Sequence, residues 1–267
     1  MPFATVNNHS LHYTDIAPSS SSQSSPHTLV FVHGLGSTQN YYFPIFQYLT
    51  SYRCIIFDNY GAGRSEYKAG SETSIESIGK DVLGLLDHLE VDKAIVVGYS
   101  MGGMVPTHLA STSHSRVEAA ILIGPVHPSP QVAEVFKQRV PKVQSAGMES
   151  MANTIPNAAT GPAATALQKA FIRELLLAQD PQGYVANCRA IEHATPPAYH
   201  DVKVPTLIIA GEVDKSAPLE GCRLVFESLG VEQAKKRLEL LPGVGHWHCV
   251  EAPDQVGRLV QEFVEGL

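Results

Sequence analysis

Apolar residues recur along this chain in two alternating patterns. Short runs rich in β-branched residues, Thr28-Leu29-Val30-Phe31-Val32, Cys54-Ile55-Ile56-Phe57, Ala94-Ile95-Val96-Val97, residues 117–124 and Thr206-Leu207-Ile208-Ile209-Ala210, predict buried strands. Between them apolar positions fall at helical spacing, over residues 39–50, 74–89, 103–110 and 252–264. The second of these carries Ile75, Ile78, Val82, Leu85, Leu86 and Leu89 on one stripe, which packs a helix on a sheet. Such alternation predicts an α/β protein with a mainly parallel, twisted sheet flanked by helices. Ahead of it, residues 3–6 and 11–16 flank the polar Asn7-Asn8-His9-Ser10 and predict a hairpin. Residues 237–241 supply the last strand.

Two stretches break the alternation. Residues 18–26 are almost all serine, too polar to repay their ordering entropy, and read as a flexible surface loop. From about residue 126 to 200 the strand pattern disappears. Helical stripes replace it: Val132, Val135, Phe136, Val140 and Val143; Leu167, Ala170, Phe171, Leu175 and Ala178; Tyr184, Cys188 and Ile191. Asp180-Pro181 gives the third a capping residue and a proline at its first position. The expected organisation is therefore a core of residues 1–125 and 201–267, with 126–200 inserted as a helical cap, or lid.

Candidate chemistry sits at the ends of the strands. In Gly98-Tyr99-Ser100-Met101-Gly102 a strand runs through a sharp turn into a helix, which lifts Ser100 out of the sheet as an exposed nucleophile; a plain strand-to-helix turn is the blander reading. One strand earlier, His33-Gly34-Leu35-Gly36 leaves backbone N–H groups free to face a site. The amides of Leu35 and Met101 are the two expected oxyanion donors. His33 itself is expected to fix loop geometry rather than transfer protons. Residues 61–66 carry glycines that approach a dinucleotide fingerprint, but Glu66 stands where the third glycine would be, so a tight loop is predicted.

A serine hydroxyl needs a base within hydrogen-bond reach, and imidazole suits because it can take a proton and return it near neutral pH. A carboxylate on the other ring nitrogen then fixes the tautomer. The strand at 117–124 ends without a carboxylate, whereas the one at 206–210 leads into Glu212-Val213-Asp214. Asp214 is the expected acid and Glu212 the second choice. The last strand leads to Gly245-His246-Trp247-His248; His246 is the expected base, and His248, nearer the following helix, is expected to be structural. The order Ser100, Asp214, His246, each after its own strand, is the nucleophile-acid-histidine order of α/β-hydrolases.

Composition narrows the partners. With 267 residues, 44% apolar and 17% charged, the chain has enough material for one large core and an insertion. A net charge of −7, without a run of lysine and arginine, argues against nucleic acid or an anionic membrane and for small-molecule partners. Within 126–200, Lys137, Arg139, Lys142, Lys169, Arg173 and Arg189 outnumber Glu134, Glu149, Glu174, Asp180 and Glu192 by one, which suits an anionic substrate but also an ordinary solvated helix surface. The apolar runs are far shorter than the roughly 20 residues a membrane span needs, and no export segment is evident at the amino terminus. A cytoplasmic protein, monomer or homodimer, is expected. Cys54, Cys188, Cys222 and Cys249 lack metal-ligand spacing and read as buried thiols; neither a metal nor a cofactor is expected.

Through His33-Gly34-Leu35-Gly36, the elbow at 98–102, residues 211–214 and Gly245-His246, the chain resembles the α/β-hydrolase superfamily over nearly its whole length. The stretch 176–191 (LLAQDPQGYVANCRAI), followed by Val204-Pro205-Thr206-Leu207, is similar to the cap and re-entry segment of 3-oxoadipate enol-lactonases. That likeness implies cofactor-free hydrolysis of an acidic enol-lactone in aromatic catabolism. The serine-rich stretch 19–25 and the remainder of the cap depart from it. A serine at the elbow, where epoxide hydrolases and dehalogenases of this superfamily carry aspartate, points to acyl transfer to water on a small ester or lactone. Carbon-carbon hydrolysis, perhydrolysis, and a triad-bearing small-molecule receptor with slow turnover remain as alternatives.

Overall fold

The computed structural model describes residues 2–19, 26–71 and 73–267. Most of the serine-rich loop predicted at 18–26 lies outside the described residues. Eight strands, β1 (Phe3–Val6), β2 (His9–Ile16), β3 (Thr28–Val32), β4 (Arg53–Phe57), β5 (Ala94–Tyr99), β6 (Val117–Ile123), β7 (Thr206–Gly211) and β8 (Lys236–Leu241), form one sheet in the order β1-β2-β4-β3-β5-β6-β7-β8. The first hairpin and the β2–β4 pair are antiparallel, and the pairs from β4 through β8 are parallel. Parallel neighbours bring the carboxyl ends of β3, β5 and β7 to one edge, so loops far apart in the chain meet there.

Side chains alternate across the sheet, and successive residues feed two cores. Leu29, Phe31, Ile95, Val97, Leu207 and Ile209 face one; Val30, Val32, Val96, Leu122 and Ile208 face the other. The first face is covered by the helix Pro253–Glu265, through Val256, Val260 and Phe263, and by the 3-10 helix Gln39–Tyr48, through Tyr41, Tyr42 and Ile45. The second is covered by α1 (Ile75–His88), α2 (Met104–Thr112) and a helix at Leu219–Ser228. Each leucine, isoleucine or phenylalanine so buried contributes about 1.5–3 kcal/mol. At α1 the predicted start is a reciprocal cap: Ser74 Oγ accepts from Ser77 N at 3.1 Å, and Ser77 Oγ from Ser74 N at 2.9 Å. The predicted helix at 39–50 is 3-10 rather than α, and it contains Pro44, which has no N–H to give to an α-helical ladder.

Between β6 and β7 lies a helical insertion, formed by α3 (Pro130–Ala158), α4 (Ala166–Leu177) and α5 (Pro181–Glu192). Asp180 caps α5 as expected, its Oδ1 accepting from Gln182 N and Gly183 N at 2.8 Å each. α3 runs past the predicted stripe, which ends at Val143. Gly147, with φ of 66°, kinks it, and a second limb buries Met148, Met151, Ala152 and Pro156. All four cysteines are buried free thiols, and burial pushes each up to about 12. Among the described residues no helix is long and apolar enough to cross a membrane.

Candidate active site

β5 ends at Tyr99, and the chain turns through a single 3-10 segment, Ser100–Gly103, into α2. Ser100 has φ of 55°, a left-handed conformation that a residue with a Cβ adopts only when its surroundings enforce it. Close approach of strand and helix does the enforcing. A Cβ on Gly98 would run into the carbonyl oxygen of Gly102, and one on Gly102 into that of Val32. The turn is therefore pressed against the end of β3, where a Cβ on Gly34 would lie 2.8 Å from that of Ser100.

The three residues singled out from the sequence meet in one hydrogen-bonded line. Ser100 Oγ lies 2.8 Å from His246 Nε2, and His246 Nδ1 lies 2.8 Å from Asp214 Oδ2. The carboxylate only accepts, so Nδ1 carries the proton, which leaves Nε2 to accept from the serine hydroxyl. Asp214 is held in turn, its Oδ1 accepting from Ser216 N at 2.8 Å and Ala217 N at 2.9 Å. Burial raises the affinity of this carboxyl for a proton, but the two imidazoles of His246 and His248 and the Ala217 amide outweigh it and hold Asp214 below the usual carboxylate range. Glu212, the second choice, turns outward and accepts from Gly243 N at 2.7 Å.

His248 donates from Nδ1 to the backbone oxygen of His246 at 2.7 Å, as a structural residue would; its Nε2 is buried without a hydrogen-bond partner among the described residues, 3.9 Å from Asp214 Oδ2. Burial drives its proton affinity down to about 4. Asp214, His246 and His248 offer donor atoms within 4.8 Å of one another. Both ring nitrogens of His246 are already engaged by serine and carboxylate, an arrangement for proton transfer rather than ligation. His33 pins a loop: Nδ1 donates to Gly34 O at 2.8 Å, and Nε2 accepts from Asn59 N at 2.9 Å. The 59–65 stretch is the expected tight loop, wrapped around Asp58, which accepts from Gln39 N at 2.8 Å and Arg64 N at 3.1 Å.

In one respect the site departs from expectation. Ser100 is raised from the sheet yet only 7% exposed, with His246 at 8% and Asp214 at 5%. The helical insertion closes over this edge: Leu176 and Tyr184 pack on Gly36, and Gln179 Nε2 donates to Ser37 O at 3.0 Å. A groove of about 1020 Å³ between residues 67–77 and the insertion, lined by Gln144, Gln182 and Arg189 among others, includes no member of the triad. The Leu35 N–H makes no hydrogen bond among the described residues, and that of Met101 lies in the first turn of a helix, where no intrahelical acceptor exists.

Sequence reasoning missed one contributor, Glu251. Its carboxylate accepts from Trp247 N at 2.8 Å, Gly245 N at 3.0 Å and Gly161 N at 2.6 Å. Nothing in the residue's local setting announces this, because its partners come from two separate segments.

The likeness to known proteins runs along the same elements. A 3-oxoadipate enol-lactonase of Acinetobacter baylyi is 26% identical over 89% of this chain and 88% of its own. A 2-hydroxy-6-oxo-6-phenylhexa-2,4-dienoate hydrolase of Comamonas testosteroni is 27% identical over 86% and 84%. The crystal structure of the enol-lactonase from Burkholderia xenovorans LB400 superposes with a TM-score of 0.87 at 28% identity, covering 99% of this chain and 100% of that one. The alpha/beta hydrolase family pattern matches residues 29–259, from β3 to the helix after His246. With that match, this strand order and this nucleophile turn, the chain belongs to the alpha/beta hydrolase family.

Proposed function

We propose that this protein hydrolyses a small carboxylic ester or lactone through an acyl-enzyme on Ser100. The observation that carries the reading is the pair of 2.8 Å contacts that join hydroxyl, imidazole and carboxylate in a buried line. His246 Nε2 takes the hydroxyl proton as Ser100 Oγ attacks the carbonyl carbon, and the carbonyl electron pair moves to the oxygen. The amides of Leu35 and Met101 receive that oxyanion; a donor of this kind is worth about 3–4 kcal/mol in the transition state. His246, now imidazolium and stabilised by Asp214, gives its proton to the leaving oxygen as the carbon-oxygen bond breaks. Water, deprotonated by the same nitrogen, then adds to the acyl carbon, and as the bond from that carbon to Ser100 Oγ breaks the imidazolium returns its proton to Oγ, releasing the acid and restoring the serine. In a lactone the leaving oxygen stays tethered to the acyl group.

Residues 126–200 act as the cap of this site and 1–125 with 201–267 as its catalytic core. Similarity to two enol-lactonases supports an enol-lactone such as that of 3-oxoadipate as substrate. Resemblance to a dienoate hydrolase supports carbon-carbon hydrolysis as a second reading. A panel of p-nitrophenyl esters, 3-oxoadipate enol-lactone, neutral lactones and a dienoate, assayed with the wild type and Ser100→Ala, separates them. Steady turnover of the enol-lactone ahead of neutral lactones, lost in Ser100→Ala, is expected. A single burst without turnover would instead indicate a receptor, and preference for neutral lactones would count against the acidic substrate.

A further inference from the structure

We propose that Glu251 is a positioning residue that fixes the catalytic histidine and the cap to each other, so that the base is held in line only while the cap is docked. This rests on the hydrolase reading above. The loop carrying His246 leaves three consecutive backbone N–H groups to satisfy, and each has a specified acceptor. Gly245 N and Trp247 N donate to the Glu251 carboxylate, at 3.0 and 2.8 Å, and His246 N donates to Ala159 O, at 2.7 Å. Ala159 belongs to the insertion, at the end of α3. Two residues on, Gly161 N donates to the same Glu251 oxygen that Gly245 uses, at 2.6 Å. One carboxylate therefore bridges both partners, and the backbone on both sides of the base hangs on it.

Contact between the two segments is backbone against backbone. A Cβ on Gly161 would collide with Gly243 O, and one on Gly245 would lie 2.6 Å from Gly161 N. A third tie runs alongside: Gln168 Nε2, from α4, donates to Val250 O at 2.7 Å. Three N–H donors around an anion make short, directional bonds stronger than neutral ones. No ion pair to Glu251 occurs among the described residues, where these three amides are the partners of its carboxylate. A neutral amide of the same shape cannot reproduce them, because glutamine offers one acceptor oxygen and turns its NH2 group toward an N–H that then has no acceptor. The imidazole, two bonds from this backbone, would shift relative to Ser100, and a displacement near 1 Å costs on the order of 10²-fold in rate.

Glu251→Gln tests this, with Gly161→Ala as a second variant that pushes the cap segment off the loop while leaving the carboxylate in place. Both are read by steady-state ester hydrolysis and by the far-downfield proton resonance of the His246 N–H held by Asp214, with the melting temperature as a check on folding. Expected in each is a fall in kcat of at least about 10-fold; in Glu251→Gln, which leaves every residue of the cap unchanged, KM stays within about 2-fold of wild type. The imidazole proton should also broaden or move. Retention of kcat within about 2-fold in folded Glu251→Gln, or a raised KM at unchanged kcat, would overturn the proposal. Should Glu251→Gln not fold, Gly161→Ala decides by the same criteria; failure of both to fold also counts against it, since a clamp on one loop leaves the sheet's own core intact. If the wild type hydrolyses none of the esters, the hydrolase reading falls, whereas the proton resonance needs no substrate and still reports on Glu251.

Discussion

At the scale of single residues, the site depends on who donates and who accepts. Asp214 spends Oδ1 on two backbone N–H groups and Oδ2 on the imidazole. In Asp214→Asn the remaining oxygen stays on those amides, and the new NH2 faces His246 Nδ1. The imidazole proton then moves to Nε2, where it points at Ser100 and cannot accept. Loss of kcat on the order of 10⁴-fold is expected, with the fold retained, checked by ester kinetics beside circular dichroism. His248 makes a separate prediction. Its folded value of about 4 lies below the roughly 6.5 of an unfolded histidine, so the unfolded chain binds the extra proton first. Its contribution to stability is complete above about pH 6.5 and is lost as the pH falls toward 4, at about 1.4 kcal/mol per pH unit for one proton. Buried His33, also lowered by burial, adds in the same direction. Urea midpoints measured between pH 7 and 4 should fall, and less steeply in His248→Gln. Ser100, Asp214 and His246 were legible because each follows a strand in a glycine-bearing loop. Glu251 was not, because what it does depends on backbone groups 6 and 90 positions away.

At the scale of elements, two glycines show what a missing side chain does. Around Gly98 an added Cβ would meet only backbone, Gly102 O and C and Gly103 Cα, none of which can yield. Gly98→Ala should destabilise by about 3 kcal/mol or more and abolish activity, measured by chemical denaturation and ester turnover. Gly147 also has a positive φ, but nothing among the described residues lies within 4 Å of its would-be Cβ. Its ψ is −170°, a conformation almost confined to glycine, so Gly147→Ala should cost the backbone strain, about 1–3 kcal/mol, and leave turnover in place. The same glycine explains why periodicity found only half of α3. A left-handed residue resets the helical phase, so the apolar positions 148, 151 and 152 do not continue the stripe that ends at Val143. The strands were read more fully, since a buried parallel strand is a short apolar run whatever its neighbours are.

For the whole molecule, the decisive fact is that the insertion shuts the catalytic edge. Side-chain ties from Gln179 to Ser37 O, Asn187 to Tyr60 O and Gln168 to Val250 O, beside the backbone ties at Ala159 and Gly161, pin it to the core. Gln179→Ala leaves the buried Ser37 carbonyl, in the loop after β3, unpaired and frees the end of α4. Faster amide hydrogen exchange is expected around residues 33–37 and 175–179, with β5 and β6 unchanged, as measured by mass spectrometry; this is local opening without global loss of stability. Periodicity, turn glycines and residue chemistry, all local properties, were enough to determine the α/β class, the order of strands and helices, the helical insertion and the three residues, Ser100, Asp214 and His246, that meet in one hydrogen-bonded line. Only the tertiary structure decided that the serine is covered rather than open, that the insertion's backbone meets the histidine loop directly, and that the carboxylate of Glu251 serves both. Hydrogen bonds and steric contacts between remote segments depend on where the chain returns in space, and no spacing along the sequence encodes those distances.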